Sequence, residues 1–539
     1  MKKLIYILIG LMGMTAVQAQ NIQERLQVLT DKDFYLAGEN IGLKLYGTDL
    51  QGKALTYSRV AYVELLGDKE NAVQLKVELN EATGDAVMQL PYTLASGMYE
   101  LVAYTRWMRN EGEAAFFRRK IGIFNSLRYA ESKDRIEFVD GDLQAPEEAS
   151  VTPNMQVKAD KSQYGNREKV TLSLAGIPED ASVSVSVVRK DIALGQVAAS
   201  PAPLQTKEQL QLLPEIEGLI IDAECIGQEN GSAIVRPNIS IQGDHLQYYA
   251  GLQNGDNQIQ FHTTTLKGVK EVVAGMNGTG HLELLSPFVA TAPETLQPIT
   301  LYRQQEEALT ERSIALQATD HFYGKEQHQP VTPELLLPGV KPKWVYDLDH
   351  YKRFTTFEET FIEFMPCVSA LGNKGNRRIV AFDSDVYALG SGNTLVLLDG
   401  VAIMDHELLL AYDPYLTKIV EVYVEDFAFG DQLYNGILHV KTPNRKLSGF
   451  TLPSTSVMCE YEGVQADREL PMPSMRKDAQ ACMPDFRHTL YWNPSVTAND
   501  QQLELLTSDM CGTYIVKVEG RTADGKAIHG ATSFEVKRE

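Results

Sequence analysis

Few residues in this chain sit at spacings that could carry out chemistry. The five cysteines, Cys225, Cys367, Cys459, Cys482 and Cys511, include no Cys-x-x-Cys pair, so neither a zinc centre nor a dithiol redox centre is supported. An odd count in an oxidising compartment leaves at least one thiol unpaired. Cys459 and Cys482 flank a loop containing Pro and Met and form a disulfide candidate that spacing alone does not assign. A serine hydrolase needs Gly-x-Ser-x-Gly on a sharp strand-to-helix turn; Gly390-Ser391-Gly392 lacks those flanks and reads as a loop. His321 and His328 fall in a Pro-rich stretch and His488 on an expected strand, with no His-Glu-x-x-His pair to hold a metal. Asp383-Ser384-Asp385 opens like a calcium loop but lacks the later Gly and bidentate Glu. Glycoside cleavage requires two carboxylates at a set separation, and with 71 acidic residues close pairs arise from composition alone. The expectation is therefore a protein that is not an enzyme, with catalytic, cofactor and metal residues none.

Two clusters stand apart from these. Asp399-Gly400 is either a loop tip that meets a partner or a tight hairpin turn, and the backbone preference of Asp-Gly favours the turn. Tyr99, Tyr104 and Trp107, beside Arg106 and Arg109, have the composition of a binding surface. Packing within a β-sandwich explains them equally well. No partner-binding residue is assigned from sequence.

The elements that must position these residues are strands. Segments 31–45 and 160–174 align without gaps: Asp-Lys, then Tyr35 or Tyr164, then Glu39 or Glu168, then alternating Ile41/Val170, Leu43/Leu172 and Leu45/Leu174. Apolar residues at every second position line one face of a strand. Gly38 in one copy and Gly165-Asn166 in the other supply the turn into it, with Arg167 standing where the first copy has Gly38. Tyr35 and Tyr164 are expected at the sandwich edge, ring buried and hydroxyl in water. The first copy continues through alternating stretches 61–66 and 73–79, a turn at Thr83-Gly84-Asp85 and a Gly-led strand over 97–104. Short strands broken by Gly, Asp and Asn predict a β-sandwich of about 100 residues. A third echo closes the chain, where Gly512-Thr513-Tyr514 copies Gly97-Met98-Tyr99 after an aromatic-rich strand over 487–494.

The series Asp-Lys-x-x-Tyr-x-x-Gly-Glu followed by these strands resembles the macroglobulin-type domains of the alpha-2-macroglobulin family, especially the second such domain. The resemblance runs over 24–125 and, through the entry motif, over 153–225. Trapping members of that family carry an internal thioester in Gly-Cys-Gly-Glu-Gln. Here Cys225 is followed by Ile226-Gly227 and Cys511 by Gly512-Thr513, so the covalent trap is not expected.

Residues 394–442 read strand, Asp399-Gly400 turn, strand and a Gly436-led strand, an order that resembles the plug domain of TonB-dependent receptors. Such a receptor also has a barrel of about 22 strands, each of roughly 9–11 residues; the tail after Thr442 is expected to hold only a few, so transport by this chain alone is not expected. Ahead of the plug-like block, 354–364 predicts a short amphipathic helix with Thr355 or Thr356 as N-cap.

The expected fold class is mainly β: several macroglobulin- or fibronectin-like β-sandwiches plus a small α/β plug-like domain. The expected order is a signal peptide over 1–19, a macroglobulin-like sandwich over 20–126, a linker over 127–152 and a second such sandwich over 153–225. A β domain over 226–318, a linker over 319–345, a plug-like domain over 346–446 and a C-terminal sandwich unit over 447–539 follow. That last unit is either complete or has the plug-like segment inserted into it.

Lys2 and Lys3, the apolar run 4–14 and Val17-Gln18-Ala19 form a secretory signal too short to span a bilayer, and Gln20 rather than Cys follows it. The formal net charge of −21 excludes nucleic acid and anionic lipid as general partners. Together with the resemblances, these features imply an exported, non-enzymatic scaffold or accessory protein of a Bacteroidetes-type envelope, in the periplasm or at the outer membrane. Its expected partner is another envelope protein. The alternatives are a carbohydrate- or peptide-binding protein of nutrient uptake and, behind it, a thioester-free protease inhibitor.

Overall fold

The computed structural model describes residues 22–67, 71–129, 135–140, 154–190, 192, 194, 211–227, 235–264, 266–293, 297–323, 340–383, 393–466 and 484–538. The expected signal peptide lies outside these residues, as do His328, Ser384, Asp385, Gly390-Ser391-Gly392 and Cys482. The protein is mainly β.

The first sandwich packs a three-stranded sheet on a five-stranded one. In spatial order the first holds Arg25–Thr30, Asn40–Thr48 and Thr83–Gln89; the second holds Phe34–Leu36, Phe117–Phe124, Gly97–Thr105, Val60–Leu66 and Asn71–Glu78. Ile41, Leu43 and Leu45 point into the core between them, as the alternation requires.

The entry motif folds as a hydrogen-bond circuit. The Tyr35 hydroxyl donates to Asp31 Oδ1 at 2.7 Å and accepts from Lys32 N at 3.2 Å, while the same Asp31 oxygen accepts from Gly42 N at 2.9 Å. The second copy repeats every bond: Tyr164 to Asp160 at 2.8 Å, Lys161 N to Tyr164 at 2.8 Å, Thr171 N to Asp160 at 2.7 Å. Glu39 and Glu168 close the turn by accepting from Leu36 N and Gly165 N. The tyrosine hydroxyls are thus not in water, as expected from sequence, but inside the motif, with both residues buried. A buried hydroxyl without a partner is costly, and Asp at the motif's first position supplies one. At the Gly38 position, φ +100, Arg167 takes φ +56, strained backbone for a side chain, and its guanidinium holds Asp509 at 2.6 Å.

The second sandwich is split. Gln156–Ala159, Lys169–Ala175 and Gln502–Leu506 form one sheet; Gln163–Tyr164, Ala527–Val536, Gly512–Thr522, Ala181–Arg189 and Thr489–Val496 form the other. Strand for strand this is the arrangement of the first sandwich, with a long insertion between its fourth and fifth strands. The separate units expected over 153–225 and 447–539 are therefore halves of one sandwich, and Ile220–Ile226 belongs elsewhere. Local pattern marks strands but carries no address for a partner 335 residues away, the separation between Ser184 and its neighbour Glu519. The Gly-x-Tyr echo does fall on equivalent strands, and both tyrosines turn their hydroxyls back to the carbonyl four residues earlier, Tyr99 to Ala95 and Tyr514 to Met510.

Within the insertion stands a seven-stranded sheet in the order His281–Leu284, Ile220–Ile226, Gln258–His262, Tyr248–Gln253, Val235–Ile241, Val269–Asn277 and Ser456–Glu462. Its last strand arrives only after a further insertion, an α/β module. That module has the sheet order Trp344–Asp347, Ile419–Tyr423, Ile437–Lys441, Leu395–Leu398 and Val401–Ala402. The strands Leu395–Leu398 and Ile437–Lys441 run parallel. Its helix Phe357–Phe364 starts at Thr356, whose side chain accepts from Glu359 N.

Both expected linkers carry structure. In 127–152, Ile136–Val139 pairs in parallel with Ile299–Tyr302. The helix Glu306–Tyr323 runs through the boundary set at 318. Its pattern is mixed, with Leu309 buried but Ile314 exposed, and it is held by the first sandwich instead: Arg312 pairs with Glu39 at 2.8 Å and donates to Phe34 O at 3.1 Å.

Candidate functional site

The polar residues that this fold gathers lie in the seams between modules. The seam between the α/β module and the seven-stranded sheet is built on the Asp399-Gly400 turn. The turn joins Leu395–Leu398 to Val401–Ala402 with φ +49 and +84, the tight hairpin geometry expected of Asp-Gly. It is not at a free tip. Asp399 is fully buried, and its carboxylate accepts from Thr442 N at 2.7 Å, Thr442 Oγ1 at 2.6 Å and Leu447 N at 2.8 Å. Gly400 N donates to His439 Nε2 at 3.0 Å, leaving Nδ1 to face Glu421 at 3.7 Å. Burial, reinforced by Lys441, pushes His439 down to about 3, so it is a neutral acceptor.

Across this seam Gly243 N donates to Asp399 O at 2.8 Å and Ala402 N to Ser240 Oγ at 3.1 Å. Asp244 takes Arg445 at 2.7 Å and Lys441 at 3.4 Å. A Cβ on Gly400 would overlap Ile241 O, which explains glycine there. Aspartate and histidine are adjacent here, yet each faces a backbone amide and both are enclosed. The arrangement anchors a turn; it offers no path to a substrate.

A second seam joins the first sandwich to the seven-stranded sheet. Arg106, read from sequence as part of either a binding surface or sandwich packing, is fully buried and grips Asp222 through both terminal nitrogens, the Nη2 bond at 2.9 Å. Gln260 adds a bond to Asp222 at 3.0 Å. Glu215, also fully buried, accepts through Oε1 from the Tyr62 hydroxyl at 2.7 Å and Ile220 N at 2.8 Å, while Oε2 has no partner among the described residues. Burial pushes Glu215 up to about 7 and Lys76 down to about 8. Lys76 lies 4.2 Å from the Tyr461 ring. The other members of the expected cluster are packing residues: Tyr104 stacks on Phe116 in the core and Trp107 donates to Ile22 O at 2.7 Å. Sequence reasoning missed Glu215, Asp222 and Lys76, because nothing local distinguishes them from solvated charges.

A third seam sets the two sandwiches together. Gly42 lies flat against Trp492, and Lys44 reaches Ser495 at 2.9 Å. Elsewhere, Asp383 pairs with Lys343, His321 rests on Phe322 and His488 is buried beside the Thr489–Val496 strand. Among the described residues no group of His, Cys, Asp and Glu is arranged to hold a metal ion, and no helix is long and apolar enough to cross a membrane.

Among solved structures the chain is similar to native alpha-2-macroglobulin of E. coli, at 10% identity and a TM-score of 0.25, covering 97% of this chain and 40% of that one. It is similar to the Escherichia coli protein activated by porcine elastase, at 9% identity and a TM-score of 0.25, covering 96% and 44%. Dimeric latent PorU from Porphyromonas gingivalis overlaps at 9% identity and a TM-score of 0.16, covering 96% and 34%. The chain spans less than half the length of these proteins, and overlap at such scores carries no argument about activity. No protein-family model matches the sequence, and no curated protein matches it.

Proposed function

We propose that this chain is a non-enzymatic modular scaffold or accessory protein, exported to the bacterial envelope, that works by binding another envelope protein. One observation carries the reading: the charged groups at the seams are engaged in holding the fold, Asp399 on the amides and hydroxyl around its own turn and Arg106 on the Asp222 carboxylate of the neighbouring module. What faces outward is the end of a sheet. Trp344–Asp347 closes its sheet on one side, with Val345 55% exposed, and an open strand edge accepts an added strand from a partner. The resemblances of 20–126 to a macroglobulin-type domain and of 346–446 to a TonB-receptor plug belong to this reading. So do a Bacteroidetes-type origin and a place in the periplasm or at the outer membrane.

The test is recovery of tagged protein from crosslinked envelopes. One envelope protein should co-purify with it, and Val345→Lys, which charges the edge strand, should weaken the capture. No envelope protein above background would sink the proposal, and binding on a glycan array instead would favour the nutrient-uptake alternative.

A further inference from the structure

We infer that Glu215 makes the seam between the first sandwich and the seven-stranded sheet a proton-operated latch, closed when its carboxyl is protonated and loosened when it ionises. The geometry supplies the reason. Oε1 already accepts two hydrogen bonds, from Tyr62 and Ile220 N, whereas Oε2 is buried with none among the described residues. A proton on Oε2 leaves a neutral group beside the Arg106–Asp222 pair. Removing it leaves a charge on an enclosed oxygen, which is costly without a partner.

The groups facing Glu215 do not cancel that charge. Arg106, at the end of the Gly97–Thr105 strand, is bound at both Nη atoms to Asp222. Asp222, on Ile220–Ile226, is itself an anion and also takes Gln260. Lys76, on Asn71–Glu78, donates to the carbonyl of Glu462 and sits between the rings of Phe288 and Tyr461. Tyr62 on Val60–Leu66 and Tyr461 on Ser456–Glu462 complete the setting. His262, at the end of Gln258–His262, is held below its ordinary value by burial and by Arg106, against the pull of Glu217 and Asp222. Ionised Glu215 therefore pulls on Arg106, whose Nη atoms hold Asp222 and whose Nε is buried without a partner among the described residues, or admits water, and either shift loosens the seam. This inference does not depend on the envelope reading.

The sign follows from linkage. Glu215 ionises near 7 in place against the usual 4.5. Its contribution is complete below 4.5 and is lost as pH rises through 7. If opening restores the ordinary value, the opening equilibrium grows about 70-fold between pH 5 and pH 8.

Hydrogen exchange of the full chain, corrected for the intrinsic pH dependence, reads this at the amides of Val60–Leu66 and Ile220–Ile226. The expected result is a rise of tens of fold in the parent and a nearly flat profile in Glu215→Gln, whose amide imitates the protonated acid. His262 stays in place in both, so its contribution cancels in the comparison. A flat parent profile, or equal slopes in parent and variant, overturns the inference. Should Glu215→Gln not fold, Tyr62→Phe decides: losing that hydroxyl moves the opening midpoint to higher pH, and an unmoved midpoint overturns it.

Discussion

Replacing Asp399 with Ala should destabilise the α/β module itself. The carboxylate serves two buried backbone amides, Thr442 N and Leu447 N, and the Thr442 hydroxyl. The hydroxyl retains Asn444 Oδ1 at 3.0 Å, but the two amides are orphaned, at about 1–3 kcal/mol each. Residue 399 also sits at φ +49, where Ala is disfavoured against Asp by about 1 kcal/mol. The expected loss is about 3–7 kcal/mol, a large share of a typical domain's stability. The chain has three tryptophans, Trp107, Trp344 and Trp492, one in each of three modules. With Trp107→Phe and Trp492→Phe as background, Trp344 fluorescence reports the α/β module alone, which multi-domain unfolding requires. At a slope of about 2 kcal/mol per molar for urea, the midpoint should fall by roughly 1.5–3.5 M. Asp399→Asn, which keeps one acceptor oxygen and tolerates the backbone, should lose about half as much. A midpoint for Asp399→Ala within about 0.3 M of the parent would falsify the account of this turn.

Tyr35→Phe and Tyr164→Phe remove the same bonds from two copies of one circuit. Because Asp31 is buried while Asp160 meets water, the first should cost about 1–3 kcal/mol and the second under about 1, measured by denaturant melts. Gly42→Val places a Cβ 2.6 Å from Trp492 Nε1; overpacking of about 1–3 kcal/mol should part the two sandwiches, seen as faster limited proteolysis and relieved by adding Trp492→Ala. Acid should loosen the α/β module early. Burial holds His439 at about 3 and His406 at about 4, below the ordinary 6.5, so the stability they contribute is present above 6.5 and lost as pH falls from there. Each should subtract about 2 kcal/mol by pH 5, and His439→Gln should remove its part of the slope in Trp344-monitored melts; an unchanged slope counts against it.

The sequence by itself determined the local pieces. Alternation placed the strands of 31–45 and 160–174, Thr355 or Thr356 marked a helix start, Asp399-Gly400 specified a hairpin turn, and the Gly-x-Tyr echo tied 97–99 to 512–514. Each depends on neighbours within a few residues, where side-chain period, capping and backbone preference act directly. Only the tertiary structure decided that the halves at 154–190 and 484–538 make one sandwich, that the last strand of the seven-stranded sheet comes from 456–462, and that the motif tyrosines bond inward. It also brought Glu215, Arg106 and Asp222 together in one seam. The physical reason is that backbone hydrogen bonds between strands are the same for every residue pair. Which strands meet, and which charges lose their water, is settled by how whole faces pack.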